Sequence, residues 1–193
     1  LGLIAGGAII TRLVLLIEGA ERPISTWLVT LAGPLLIGGS LSTLVLLRRL
    51  PDGLWWTFLP LSAVFTADAG AYLIGSTFGH RQILPRVSPG KTWAGTLTGF
   101  ALCLVCILGC VGVFHRLIPS SSVGQIAWSS GVFLGVVIGP LDLAGDVAVS
   151  ALKRRAKVKD SSNLIPGHGG MLDRCDSLLL TVPLAYLWAL LIM

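Results

Sequence analysis

The sequence predicts an all-α fold: a polytopic transmembrane helix bundle of about six spans, with a polar cleft at its cytoplasmic side. Three observations point there. Of 193 residues, 54% are hydrophobic and 12% charged, with a mean hydropathy of +0.86, outside the usual mixture of a soluble domain. The apolar residues gather into runs of about 20, the length at which a helix crosses about 30 Å of hydrocarbon while satisfying its own backbone. The few charges cluster in particular loops instead of spreading along the chain.

The expected spans, in order, are Leu3–Ile17, Thr26–Leu47, Leu54–Gly75, Thr92–Phe114, Ile126–Ala148 and Ser177–Met193. Pro34, Gly38 and Gly39 interrupt the second, and residues of these types are able to split it into two shorter pieces. A single integral membrane domain over residues 1–193 is expected, with its chemistry at 67–93 and 142–177. The chain begins at Leu1, and Arg12 lies in the first apolar stretch with no small-residue cleavage pattern after it. That stretch does not read as a signal peptide, and further N-terminal spans are expected to precede it. Cys103, Cys106, Cys110 and Cys175 lack metal-site spacing and read as small packing residues.

With helices alternating across the bilayer, the loops after the first, third and fifth spans share one side. They carry Arg22, then Arg81, Arg86 and Lys91, then Lys153, Arg154, Arg155, Lys157, Lys159 and Arg174. The other side has Arg48, Arg49 and Arg116. The positive-inside rule assigns the basic loops to the cytoplasm, where the net charge of +5 would attract anionic headgroups or a nucleotide triphosphate. Taken alone, such loops need do no more than set topology.

The helix entering the last basic loop carries more specific information. Asp142, Asp146, Ser150, Lys153 and Lys157 recur at intervals of four or three, forming one polar stripe. Gly131, Gly135 and Gly139 continue that face and allow a neighbouring helix to approach closely. A carboxylate at membrane depth is costly and usually faces a polar cavity, which makes Asp146 the leading functional candidate and Asp142 either its support or a partner. The segment from Lys159 to Asp176 then contains Pro166, Gly167, His168, Gly169 and Gly170, which prevent a continuous helix and permit peptide N–H groups to converge on an anion. Asp173 and Asp176 follow, three apart. With Asp146 they offer hard oxygen ligands for Mg2+, although an aspartate at a helix start also serves simply as a cap.

At this point a family is legible. Ser150-Ala151-Leu152-Lys153-Arg154, Lys159-Asp160, Pro166-Gly167-His168-Gly169-Gly170, Asp173-Arg174 and Asp176 together resemble the signature of phosphatidate cytidylyltransferases, or CDP-diglyceride synthases, over the 27 residues Ser150–Asp176. Cys175 departs from it, standing where a larger apolar residue or threonine is usual. An earlier segment is similar to the family's second set of motifs: Ala67-Asp68-Ala69-Gly70-Ala71-Tyr72, Phe78-Gly79-His80 and Ser88-Pro89-Gly90-Lys91-Thr92-Trp93. Ala69 stands where serine or threonine is common. Asp68 and Tyr72 share a helix face, and Lys91 precedes a helix N-terminus, where the dipole favours an anion.

The resemblance implies transfer of a cytidylyl group from CTP to phosphatidate, giving CDP-diacylglycerol and pyrophosphate. It implies Mg2+ held by Asp146 and Asp173, with Asp176 assisting, and a second cation, K+. Lys153, Lys159, Arg154 and Arg174 would meet phosphates, with orientation of a carboxylate the alternative role for Arg174. Asp68, Tyr72, Ser88, Lys91, Asp160, Gly169 and Gly170 would line the nucleotide and lipid-phosphate cleft. Phosphatidate is already anionic at neutral pH, so His168 is expected to bind phosphate or shape its loop instead of acting as a base. His115 reads as interfacial. The expected partners are CTP, phosphatidate and membrane lipids, with a homodimer left open and no nucleic acid. The expected location is the bacterial inner membrane with the active face cytoplasmic. Two alternatives remain: a related CTP-dependent lipid-phosphate cytidylyltransferase or lipid kinase, and an ion or solute transporter, since intramembrane carboxylates also mark ion pathways.

Overall fold

The computed structural model describes residues 23–85, 87–162 and 170–193, with side-chain surroundings described from residue 33 onward. The chain divides into two compact units, Leu1–Ser40 and Leu41–Met193, and both candidate motifs fall in the second. Helix α1 (Pro23–Arg49) contains Pro34 without ending there. Among the described residues, three helices are long and apolar enough to cross a bilayer: α2 (Gly53–Phe78), α3 (Trp93–Leu117) and α4 (Trp128–Arg155). They match the third, fourth and fifth expected spans, and α4 runs on past Ala148 to carry the polar stripe out of the apolar region. After the short helix α5 (Leu172–Cys175), α6 (Leu178–Ile192) is apolar but only 15 residues long, about 22 Å at helical rise. The expected first span lies outside the described residues.

The packing is that of a protein whose solvent is lipid. Leu59, Ala63 and Ala67 of α2, Cys103, Ile107 and Val111 of α3, Ile138 of α4 and Val182 and Ala189 of α6 form the buried core. Phe65, Leu73, Val105 and Val136 are large, apolar and exposed on the outside. The Thr57, Thr77, Thr98 and Thr181 hydroxyls donate to the preceding turn, Thr98 to the Ala94 carbonyl at 2.9 Å, so they need no partner from the bilayer. Cys103 is buried against the Gly135 carbonyl, while Cys106 and Cys110 lie beside Thr66 and Ser62. All four cysteines are free thiols that pack, as their spacing suggested.

Small residues set the helix spacing. A Cβ added at Gly135 would lie 3.0 Å from the Leu104 Cα, and one at Gly139 would lie 3.4 Å from that of Phe100. The stripe glycines therefore do seat α4 on α3. Between α2 and α3, a Cβ at Gly95 would lie 2.5 Å from the Ala71 carbonyl oxygen. This crossing presses the helix turn that carries Asp68 and Tyr72 against the start of α3.

One element departs from the all-α expectation. Strands β1 (Gln82–Leu84) and β2 (Ser88–Thr92) form an antiparallel hairpin, pairing Gln82 with Thr92 and Leu84 with Ser88. Pro89 and Gly90 keep this polar segment from helix until Thr92, whose hydroxyl caps α3 by accepting from the Gly95 N–H at 3.2 Å. At the other end of the bundle, the Asp52 carboxylate accepts from the Ser122 N–H at 2.6 Å. His115 Nε2 meets the Ile126 carbonyl at 2.8 Å, and its ring meets Trp128 edge-on.

Gly95→Ala forces its methyl onto the Ala71 carbonyl and is expected to cost about 1–3 kcal/mol through overpacking. A thermal melt in detergent checks this, with the midpoint falling below that of the unaltered protein.

Candidate active site

The site assembles where the hairpin folds over the C-terminal half of α4, at the end that carries its basic residues. Asp146 lies on the inner face of α4, one turn before Ser150. The Lys91 ammonium on β2 reaches Asp146 Oδ2 at 2.6 Å, and the Ser150 hydroxyl donates to Oδ1 at 3.1 Å. Asp68, Tyr72, Lys91 and Asp146 line one cleft of about 220 Å³, with Thr92 and Thr96 at its wall. Tyr72 is largely exposed. Arg154, two turns beyond Asp146, uses its Nε–H to hold the Val87 carbonyl at 3.3 Å, so it straps the hairpin to α4. Ser88 opens β2 beside this contact.

A second ion pair lies farther along α4. Lys153 Nζ donates to Asp173 Oδ1 at 2.5 Å, with both side chains more than four-fifths buried. Asp173 Oδ2 accepts from the Ser161 N–H at 2.8 Å, the Ser161 hydroxyl at 2.7 Å and the Gly170 N–H at 2.9 Å. Burial alone would raise the pKa of Asp173. The Lys153 ammonium and the Ser161 and Gly170 donors outweigh it and hold the carboxyl below its ordinary value. The chain reaches this point through a tight stop to α4. The Val158 N–H returns to the Lys153 carbonyl and the Lys157 N–H to that of Arg154, with Lys157 at φ 58°. This is a Schellman ending with lysine where glycine is usual. It turns the exposed Lys159 and Asp160 back towards α5.

Asp176 stands between α5 and α6. Burial, then repulsion from the Asp146 carboxylate, pushes its pKa up to about 6 against the pull of the Ser177 N–H and Lys153. Gly145 makes this closeness possible, because a Cβ there would lie 2.6 Å from the Asp176 carbonyl oxygen. Asp142 is 8% exposed, and its Oδ1 has no hydrogen-bond partner among the described residues. Arg174 is exposed on α5. His168 and Gly169 lie outside the described residues.

A model of the cytidylyltransferase family matches residues 3–192. The chain belongs to the cytidylyltransferase family. Among relatives of this cytidylyltransferase chain, the phosphatidate cytidylyltransferase of Rickettsia bellii is 33% identical over 181 residues, 92% of this chain and 76% of that protein. Those of Haemophilus influenzae and Synechocystis are 40% and 41% identical over 68% and 76% of this chain. The chain spans only 44% and 47% of their lengths.

Within this cytidylyltransferase the structure brings Asp68, Lys91 and Asp146 together around one cleft, and joins Lys153, Asp173 and Gly170 in a neighbouring network. Among the described residues, no three side chains of metal-ligating type converge on one point. Ser161, Ser177 and Gly145 had not been singled out. Nothing local marks Ser161, whereas the position of Ser150 one turn from Asp146 was already visible in the stripe.

The raised pKa of Asp176 gives a signed expectation. An unfolded aspartate titrates at about 3.9, so between that value and about 6 the folded chain holds a proton that the unfolded chain releases. This group therefore adds stability as pH falls through that window, and its charge opposes folding above it. Asp176→Asn should melt higher than the unaltered protein at pH 7.5, with the gap closing below pH 6 in scanning fluorimetry. Asp173 has the opposite sign: its contribution is full above the unfolded value and is lost as pH falls through its lowered folded value.

Proposed function

We propose that this chain carries the catalytic part of a phosphatidate cytidylyltransferase, joining CTP to phosphatidate to give CDP-diacylglycerol and pyrophosphate. The observation that carries this reading is the pairing of two lysines with two aspartates along one face of α4, beside a cleft at the basic end of a membrane bundle. Attack of the phosphatidate oxygen on the α-phosphorus forms one P–O bond as the bond to pyrophosphate breaks. Both partners are anions, so the demand on the protein is charge neutralisation and in-line positioning. No covalent nucleophile is required.

The donors fit Mg2+, which uses one or two protein carboxylates together with substrate phosphates and does not need a closed protein cage. Asp146 and Asp173 would hold it together with substrate phosphates, with Asp176 assisting, and when bound it would supply positive charge against the triphosphate. Asp142 Oδ1 has no hydrogen-bond partner among the described residues, which leaves it an oxygen to offer the second cation, K+. Lys91, Lys153, Lys159, Arg154 and Arg174 offer cationic donors to phosphates. Asp68 and Tyr72 line the mouth of the cleft, with Ser88 beside the hairpin. Asp160 and Gly170 flank the Asp173 network, and His168 and Gly169 are read as phosphate-binding residues. The excess of basic residues at this end supports a cytoplasmic active face, and the bacterial relatives favour the inner membrane.

Purified protein given CTP, phosphatidate and Mg2+ should release pyrophosphate and form CDP-diacylglycerol, read by mass. Asp146→Ala and Asp173→Ala should each lower turnover by about 10³-fold, and Lys91→Ala by about tenfold. Near-normal turnover in a folded Asp146→Ala protein sinks the site. Release of CDP in place of pyrophosphate would identify a kinase, and ion flux without either product a transporter.

A further inference from the structure

We propose that Lys91 and Lys153 are built-in counterions, holding Asp146 and Asp173 until a divalent cation takes their place and then turning to the phosphates of the substrate. This deepens the reading of the site given above and rests on it. The two carboxylates are held in the same way, although their surroundings differ. Asp146 Oδ1 is anchored by the Ser150 hydroxyl, and Oδ2 meets the Lys91 ammonium. Asp173 Oδ2 is anchored by Ser161 and Gly170, and Oδ1 meets the Lys153 ammonium. Each aspartate thus has one oxygen fixed by neutral donors and the other covered by a lysine.

The fixed oxygen sets the orientation of the carboxylate, as supporting hydrogen bonds do for metal ligands generally. The covered oxygen is the one left for a cation. An ammonium and a hard dication compete for the same lone pairs, and lysine is suited to yield. Its charge sits on a flexible four-carbon stem with three rotatable donors, so it can swing across a cleft while the backbone stays in place. Lys91 has room to do so, because the adjacent Gly90 faces open space and the same cleft continues to Asp68 and Tyr72. In the absence of phosphates, the lysines oppose cation binding. With phosphates present, a displaced ammonium gains a new anionic partner, so cation and nucleotide bind together more readily than either alone.

Mn2+ serves as the probe, its binding to the detergent-solubilised protein followed by electron paramagnetic resonance without nucleotide. Lys91→Met and Lys153→Met should each bind Mn2+ about fivefold tighter than the unaltered protein, as loss of a partly buried competing ion pair implies. Lys91→Arg and Lys153→Arg should resemble the unaltered protein, and both Met variants should bind CTP more weakly. A second measurement needs no substitution: Mg2+ with CTP withheld should speed acylation of Lys91 by an amine-directed reagent, read by mass spectrometry. Unaltered or weaker Mn2+ binding in both Met variants, or an acylation rate indifferent to Mg2+, overturns the exchange while leaving the activity above in place. If the unaltered protein turns over CTP yet binds no Mn2+, the exchange also fails. If it neither binds Mn2+ nor turns over CTP, the functional reading itself falls.

Discussion

A carboxylate at the depth of a membrane has to be compensated, and the arrangement around α4 follows from that requirement. An uncompensated aspartate near the middle of a transmembrane helix costs about 2.5–3.5 kcal/mol on insertion scales. Asp146 is compensated by Lys91, which obliges the hairpin to fold back over the helix. Arg154 keeps it there through the Val87 carbonyl. Asp173 is compensated by Lys153, which draws α5 onto the end of α4. The site is where these two ties meet. Asp142 is the exception, nearly buried and with one oxygen lacking a donor among the described residues.

Close approach of backbones makes the compensation geometrically possible. Gly135 and Gly139 seat α4 on α3, and Gly145 admits the Asp176–Ser177 junction. Gly95 draws α3 against the Ala71 turn, which brings the Asp68 face of α2 to the hairpin. In lipid, apolar side chains gain little from facing one another over facing acyl chains, so small residues and polar contacts decide which helices touch. The exposed Phe65, Val105 and Val136 are consistent with that balance.

The same features suit the chemistry of two anions that must be brought into contact. Carboxylates gather cations, lysines can answer phosphates, and one member of each pair, Asp146 and Lys153, is mounted on the helix that the glycine contacts seat. At the border of this region the Ser161 and Gly170 N–H groups are taken up by Asp173 Oδ2, closing the base of a loop. A site of this kind neutralises charge and aligns reactants without needing a nucleophile of its own.

The sequence by itself determined the membrane class, the positions of the long helices, the polar stripe on α4 and the family. Hydropathy and helical spacing are local properties, and Asp142, Asp146, Ser150 and Lys153 share a face wherever the helix is placed. The glycine face of α4 was legible for the same reason. The hairpin was not, because Gln82–Leu84 is short and Ser88–Thr92 contains Pro89 and Gly90, which obscure any strand alternation. Only tertiary structure decided which lysine meets which aspartate: Lys91 and Asp146 lie on separate elements, and their meeting depends on the α2–α3 crossing and the return of the hairpin. It also decided that Asp173 holds together the ends of a loop through Ser161, a residue that nothing in the local sequence distinguishes. Ion pairing and loop closure are set by distances in space, which a one-dimensional pattern does not contain.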